Sequence, residues 1–210
     1  MEQYLEDIKK ASLVEEGYKI WIDKHYKEKY ENNPTQWVRM KESVFCYEFY
    51  KNLRENWKKE SVNSARYKDL YFNAEITKWL SKDDYSYPDF VLHGGQDNTD
   101  KQLIAIEVKV SERIPDNETG NNNLINDIKV IIQYVEDEKL KYKMGLFIAV
   151  NMVTNVLRKR IENVYYLDKN NELKKDDKTL GKIYFIGTNS ENEEIEHFTL
   201  LDVKKKLNKE

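Results

Sequence analysis

The stretch YPDFVLHGGQDNTDKQLIAIEVKV, residues 87–110, carries the strongest structural and chemical signal in the chain. Two apolar runs rich in β-branched and aromatic residues flank a Gly-Gly turn, a pattern typical of two strands joined as a hairpin. Acidic groups stand within these runs: Asp89 opens the first, and Glu107 with Lys109 ends the second. Because charged side chains are costly to bury, their positions indicate a site.

Side chains alternate across a strand, so Glu107 and Lys109 share one face while Ile106 and Val108 share the other, which we expect to be the packed one. A short hairpin brings Asp89 beside Glu107. Two carboxylates held close together repel each other, and a shared proton or a bound cation relieves that repulsion. Oxygen-only ligands favour Mg²⁺. A neighbouring lysine is suited to positioning a nucleophilic water or stabilising phosphoryl charge.

Acidic-x-Lys triplets alone are weak indicators, because 35% of the chain is charged and the same spacing recurs, for example at Asp7 and Glu172. The alternative interpretation is that Asp89 caps a turn, and that Glu107 and Lys109 form the polar side of an exposed strand. The context of an apolar strand separates the Glu107 triplet from the others.

The remaining pattern predicts helices, then strands, then alternating helix and strand. Polar loops are expected at 59–69, 115–123 and 170–182. The predicted helices are 1–31, 36–58, 124–141, 152–164 and 200–207, and the predicted strands are 70–80, 87–95, 101–111, 143–151 and 182–188. A helical crossover between strands 101–111 and 143–151 implies a mixed sheet covered by helices. The nearly continuous apolar strand 143–151 suits a central position.

Composition excludes few functions. The chain has 210 residues and one cysteine, so no intrachain disulfide forms. No apolar run approaches the roughly 18 residues that span a bilayer. The net charge of −3 and pI near 5.8 neither indicate nor exclude nucleic-acid binding. We expect a cytoplasmic protein with no membrane partner.

Pro88-Asp89, a spacer and then Glu107-Val108-Lys109 at the end of an apolar strand resemble the PD-(D/E)xK nuclease superfamily, which includes type II restriction endonucleases. The resemblance covers roughly residues 38–152. It implies an α/β fold with a restriction-endonuclease-like mixed β-sheet flanked by helices. The sequence pattern adds an N-terminal helical segment, which matches no part of that family. The expected organisation is an N-terminal helical extension, 1–36, followed by a nuclease-like domain, 37–210. The extension is interpreted as a recognition piece, a dimerisation piece or a packing helix.

The resemblance also implies roles for individual residues. Asp89 and Glu107 would ligate Mg²⁺, for which Mn²⁺ is a possible substitute, and Lys109 would orient or activate the attacking water. The family often adds a glutamate from the preceding helix. Here Glu42 is preferred over Glu48, because helical periodicity places Glu42 with the apolar side chains that face the sheet. The alternative is that Glu42 simply favours the first turn through the helix dipole.

Further candidates are weaker. Glu75, on the strand predicted at 70–80, either completes the set of metal ligands or is a solvated residue on an edge strand. His93 is expected to be a turn residue. Asp127 and Lys129, on the helix after the lysine strand, either assist the site or lie solvated. No Gln-x-x-x-Tyr element of the kind seen in RecB-like members is evident, although Gln133-Tyr134 lies on the corresponding helix.

The predicted function is a Mg²⁺-dependent endonuclease that hydrolyses DNA phosphodiester bonds, in a restriction- or repair-like role. The alternative is a catalytically inactive nuclease-fold domain that binds nucleic acid or another protein. DNA is the expected partner, and a homodimer is expected if both strands are cut. Three basic segments could contact phosphates or could equally form solvated faces. They are Arg158-Lys159-Arg160, 139–143 and Lys174-Lys175. The pattern does not distinguish duplex, branched and single-stranded substrates.

Overall fold

The computed structural model describes residues 1–13, 42–61, 69–74, 78–79, 85–86, 88–95, 99–111, 114, 116–188 and 195–209. The helices in these ranges are α1 Glu2–Ser12, α2 Glu42–Ser61, α3 Glu118–Glu136, α4 Thr154–Leu167, α5 Asp177–Leu180 and α6 Leu200–Leu207. The strands are β1 Tyr71–Ala74, β2 Lys78–Trp79, β3 Tyr85–Ser86, β4 Phe90–His93, β5 Gln102–Val110, β6 Met144–Val150, β7 Ile183–Thr188 and β8 His197–Thr199.

A six-stranded sheet in the order β1-β4-β5-β6-β7-β8 forms the centre of the protein. The pairs β5–β6 and β6–β7 are parallel, whereas β1–β4, β4–β5 and β7–β8 are antiparallel. Helix α3 connects β5 to β6, as a parallel pair requires. The prediction of a mixed α/β sheet flanked by helices is therefore confirmed, and so is the central place of β6, which is buried along its whole length.

Both faces of β5 are packed, which corrects the expectation that only one would be. The side chains of Ile104, Ile106 and Val108 pack in one core with α1 and α2. The opposite face of the sheet, including Ala105 and Phe147, is covered by α3 and its neighbouring helices. A strand buried on both sides makes any charged residue on it a buried charge.

Helix α1 is shorter than the helix predicted for 1–31. It ends at Ser12, and Leu13 is already extended. The Thr188 hydroxyl at the end of β7 donates a 3.1 Å hydrogen bond to the Ser12 carbonyl, so a tertiary contact caps this end. Helix α1 buries Leu5 and Ile8 in the same core as α2. The predicted domain boundary at 36/37 and the start predicted for the second helix lie outside the described residues.

Other boundaries also differ from the sequence prediction. Helix α2 continues to Ser61 into the predicted loop 59–69, and the strand predicted for 70–80 ends at Ala74. The pair β2–β3 forms a separate small sheet. Helix α3 occupies 118–136, not 124–141, so the loop predicted for 115–123 is wrong from residue 118 onward. Asn117 caps this helix by accepting a 2.8 Å bond from the Gly120 N–H.

Strand β3, helix α5 and strand β8 were not predicted. Helix α5 lies inside the predicted loop 170–182, where the Asp176 side chain caps it through the Thr179 N–H. Strand β8 pairs antiparallel with β7 and leads directly into α6, whose predicted range 200–207 is confirmed. In the part of the chain that the structure describes, no helix combines the length and apolarity needed to cross a membrane.

Replacement of Gly187 by alanine is expected to destabilise the protein. A Cβ there would lie 2.3 Å from the Met152 carbonyl oxygen and 2.7 Å from the Thr154 backbone nitrogen, and backbone atoms cannot move aside as a side chain does. We expect Gly187→Ala to cost about 3 kcal/mol and to lower Tm by roughly 6–12 °C. The control Gly181→Ala meets its nearest atom only at 3.2 Å and should change Tm far less. Equal melting temperatures for the two variants would contradict this packing.

Candidate active site

The β4–β5 hairpin places Asp89 beside Glu107. Phe90 pairs with Ile106 across the hairpin, so the residues that flank this pair are also adjacent. Asp89 Oδ2 accepts a 2.7 Å hydrogen bond from the Val108 N–H, which fixes the carboxyl group against β5. The charge of Asp89 contributes to raising the pKa of Glu107, as expected for neighbouring carboxyl groups. The adjacency expected from the sequence is therefore present.

Glu107 is buried, with only 7% of its surface exposed. Its Oε1 accepts a 3.0 Å hydrogen bond from the Tyr134 hydroxyl on α3, and its Oε2 lies 3.8 Å from Lys109 Nζ. The interpretation of Glu107 and Lys109 as the polar side of an exposed strand is therefore wrong, because α3 covers this face. The covering helix supplies one of the hydrogen bonds that a buried carboxyl group requires.

The electrostatics of the group follow from this burial. Burial raises the pKa of Glu107 to about 8, and the neighbouring Asp89 carboxylate adds to the rise. Burial also raises the pKa of Asp89, against the opposing effect of the Val108 N–H. Burial alone would lower the pKa of Lys109, but the carboxylates of Asp127, Asp89 and Glu107 raise it above its ordinary value. Lys109 is therefore a cation at neutral pH, beside a carboxyl pair that is costly to ionise fully.

Glu42 lies at the same site and Glu48 does not. Glu42 opens α2 and lines one cavity together with Asp89, and its negative charge raises the pKa of Asp89. The apolar residues that share its helix face, Phe45 and Phe49, are fully buried against the sheet. Glu48 instead pairs with Lys51 one turn along the same helix, at 3.7 Å. Helical periodicity thus selected the glutamate that is directed to the site.

Of the weaker candidate residues, one lies near the carboxyl pair and two have partners elsewhere. His93 is buried at the other end of β4, where its ring Nε2 lies 2.8 Å from Asn73 Oδ1, so it has a structural role. Asp127 is close enough to Lys109 and Glu107 to shift the pKa of both. Lys129 pairs with Glu172 at 2.8 Å, away from the carboxyl pair. Glu75 lies outside the described residues.

Tyr134 was noted in the sequence only as part of Gln133-Tyr134, and its role at the site was not predicted. It is fully buried on α3 and donates to Glu107. Tyr134 follows Asp127 by seven residues, two helical turns, so both are presented on the side of α3 that faces β5. A tyrosine among the apolar positions of the helix after the lysine strand was the available signal, because a buried tyrosine hydroxyl usually has a polar partner.

Several basic residues considered as phosphate contacts are engaged within the protein. Arg160 is buried and pairs with Asp116. Arg158 stacks its guanidinium 4.5 Å from the centre of the Phe198 ring. Lys175 pairs with Glu136 at 3.1 Å. These contacts favour a structural use of the three basic residues.

The carboxylates of Asp89, Glu107 and Glu42 suit a hard cation such as Mg²⁺, because they offer oxygen ligands only. The paired carboxyl groups of Asp89 and Glu107 form the assembled part of this ligand set. The oxygens of the three residues do not all lie within 4.8 Å of one another, so the three carboxyl groups are not gathered around one point. The ligand atoms that these three residues offer are therefore of the type that Mg²⁺ prefers.

A second cluster lies elsewhere. Within the described ranges, the group of three potential ligands whose atoms all come within 4.8 Å of one another is Glu2, Glu6 and His197. Glu6 already forms a 2.6 Å ion pair with Lys9, and Glu2 is exposed. The ammonium of Lys9 therefore already serves as a cation for this cluster.

A cavity of about 490 Å³ opens beside the carboxyl pair. Helix α2 forms one wall, and β1 with the start of β4 forms the other. The lining residues are Glu42, Cys46, Tyr47, Tyr50, Asn73, Ala74, Asp89 and Phe90. The site thus combines carboxylates with aromatic rings in one concave surface.

Comparison of the chain with protein-family models, with curated proteins and with solved structures gives no match. The geometry of the site and the sequence resemblance are accordingly the basis for any functional proposal.

The metal-free protein is expected to lose stability as the pH rises. Folded Glu107 keeps its proton up to a pKa of about 8, whereas the unfolded carboxyl group releases it near 4.5. Between these values the folded state binds more protons, so stability is full below about pH 4.5 and falls as the pH approaches 8. Thermal unfolding in EDTA from about pH 5 to about pH 8.5 should show a falling Tm.

The Glu107→Gln variant should show a flatter profile over the same range, because the amide does not titrate. The control is Glu162→Gln, which changes another largely buried glutamate, one paired with Lys206 at 2.8 Å. It should retain the pH dependence of the parent protein. A parent-like slope in Glu107→Gln would show that this carboxyl group is not the source.

Proposed function

We propose that this protein is a Mg²⁺-dependent nuclease that hydrolyses phosphodiester bonds in DNA and belongs to the PD-(D/E)xK superfamily. One observation carries the proposal: the half-buried carboxyl group of Asp89 lies opposite the buried carboxyl group of Glu107 in the hairpin, with the Lys109 ammonium 3.8 Å from the latter. The residue types and their order match the Pro-Asp…Glu-x-Lys pattern that the sequence resembles. Glu42, at the start of α2, would serve as the additional helix glutamate that the resemblance implies.

The carboxylates of Asp89 and Glu107, with Glu42, would hold the ion. A bound Mg²⁺ neutralises phosphate charge and lowers the pKa of a coordinated water. The Val108 N–H and the Tyr134 hydroxyl each occupy one carboxylate oxygen, at 2.7 and 3.0 Å, and so fix the directions in which the other oxygens point. Preorganised ligands of this kind need little rearrangement during the reaction.

Lys109 acts as a hydrogen-bond donor and not as a general base. Its pKa lies above the ordinary lysine value, because the surrounding carboxylates outweigh the effect of burial, so it keeps its proton at neutral pH. From this position it would orient the attacking water and stabilise the charge that develops on the phosphoryl oxygens. The water oxygen would bond to phosphorus and release a proton to the solvent, the bond to the 3′ oxygen would break, and the leaving oxygen would take up a proton from the solvent.

Removal of Lys109 is expected to abolish cleavage without unfolding the protein. Purified protein would be incubated with supercoiled plasmid, linear duplex, single-stranded and four-way-junction DNA, with Mg²⁺, Mn²⁺ or EDTA. Loss of a donor that stabilises transition-state charge typically costs about 10²–10³ in rate. We therefore expect Lys109→Ala to reduce metal-dependent cleavage at least about 100-fold.

The matched control is Lys9→Ala, because Lys9 is likewise partly buried and ion-paired to a glutamate, Glu6. This variant should cleave like the parent. Normal cleavage by Lys109→Ala would show that the assigned roles are wrong. Failure of the parent to cleave any substrate would favour the alternative, an inactive domain that binds nucleic acid or protein.

Metal binding is expected to stabilise the protein through Asp89. A ligand at 100 times its Kd adds about 2.7 kcal/mol, which raises Tm by roughly 5–10 °C in a chain of this size. Titration of MgCl₂ or MnCl₂ in a thermal-shift assay should show this rise for the parent and not for Asp89→Asn. Glu48→Gln, on the same helix as Glu42 but directed elsewhere, should respond like the parent. A full response in Asp89→Asn would exclude this residue as a ligand.

A further inference from the structure

Helix α2 lines the cavity with both acidic and aromatic side chains. Glu42, Cys46, Tyr47 and Tyr50 line the same cavity as Asp89. At 1.5 Å per residue, Glu42 and Tyr50 lie about 12 Å apart along the helix axis. Along α2, the cavity wall therefore has a carboxylate at the start of the helix and two tyrosine rings further along it.

The two tyrosines present their rings differently. Tyr47 is 76% exposed, which is unusual for a large aromatic side chain beside a cavity. Tyr50 is supported from behind, since its ring stacks on Phe72 and Phe90 with centroid distances of 5.4 and 6.2 Å. The first ring is open to a ligand, and the second forms a rigid part of the wall.

A cation stands beyond the tyrosines. Arg54, one turn after Tyr50, donates a 2.8 Å hydrogen bond from Nη1 to the Tyr50 hydroxyl. Its guanidinium lies 5.4 Å from the centre of the Tyr50 ring. Along α2 the order is therefore carboxylate, aromatic ring and guanidinium.

We infer that this wall binds an unpaired nucleotide, so that the preferred substrate of the site is a single strand or an unpaired segment. The inference rests on the proposed nuclease function. The phosphate to be cut would lie at the carboxylate end, the adjoining base would stack on Tyr47, and Arg54 would contact a neighbouring phosphate. Exposed aromatic rings combined with cations are the usual means of binding single-stranded nucleic acid.

Base pairing determines whether a base can stack on the Tyr47 ring, and so distinguishes a duplex from a single strand as a substrate. In a duplex the faces of the bases are stacked on one another, and only their edges are accessible in the grooves. A ring such as that of Tyr47 gains a stacking partner only if the base is unpaired. A cavity of about 490 Å³ also falls in the range of roughly 300–1,000 Å³ typical of pockets that enclose a small molecule or a single base, whereas a duplex would lie across its mouth.

The experiment measures binding separately from cleavage. Lys109→Ala protein in Mg²⁺ would be titrated against fluorescein-labelled single-stranded DNA, single-stranded RNA and duplex DNA of one sequence, followed by fluorescence anisotropy. Either single strand supports the inference, since both offer an unpaired base beside a phosphate. We expect at least tenfold tighter binding of a single strand than of the duplex.

Tyr47→Ala, made in the same background, should weaken single-strand binding about 5- to 100-fold, as expected from the loss of one stacked base. Tyr47→Phe should retain binding. The matched control is Tyr166→Ala, because Tyr166 is a tyrosine of similar exposure, 78%, on α4. Equal or tighter binding of the duplex, or equal effects of Tyr47→Ala and Tyr166→Ala, would overturn the inference.

The two proposals fail in different ways. If the parent cuts duplex DNA with a requirement for Lys109, and Tyr47→Ala binds normally, the nuclease proposal stands and the inference on substrate falls. If no DNA is cut but single-strand binding depends on Tyr47, the catalytic proposal falls and the binding site stands.

Discussion

The placement of a buried carboxyl group, Glu107, beside a half-buried one, Asp89, is the constraint on which the rest of this structure depends. Asp89 and Glu107 are brought together by the register of one hairpin, and the sheet around them is covered on both sides. Water therefore compensates the charge of Glu107 far less than it would at a surface. The Val108 N–H, the Tyr134 hydroxyl and the Lys109 ammonium replace it, and each comes from an element whose position the fold determines.

The scaffold holds this group from two directions. On one side, an aromatic cluster joins α2 to β1 and β4, with Phe90 5.2 Å from Phe49 and 5.3 Å from Phe72 between ring centroids. Asp89 directly precedes Phe90, so the same packing fixes both the carboxylate and the helix that carries Glu42. On the other side, α3 packs on β5 and brings the Tyr134 hydroxyl to Glu107. The position of the Asp89 carboxyl group therefore depends on the packing of the neighbouring Phe90 ring.

Local patterns predicted much of this arrangement. The hairpin, the parallel crossover and the central β6 follow from alternation, turn residues and a long apolar run, and Glu42 follows from helical periodicity. The start of α3 was missed because Asn-rich segments favour loops. In the structure the Asn117 side chain caps the helix by accepting a hydrogen bond from the Gly120 N–H, and the Asn-rich segment is helical. The burial of Glu107 and the role of Tyr134 were missed because they depend on which helix covers which face, information that arises only from long-range packing.

The contact between Ser12 and Thr188 has a consequence for how the chain folds. The two residues are separated by 176 positions, yet α1 shares its core with β5, β6 and the end of β7. Contacts between such distant segments raise the contact order and slow folding, because a large loop must close before they form. During synthesis α1 and α2, whose apolar residues share one core, are both made before β7, so the hydrogen bond from Thr188 to the Ser12 carbonyl can form only once β7 exists. Capping of the C-terminal end of α1 is therefore a late step, which follows its packing against α2.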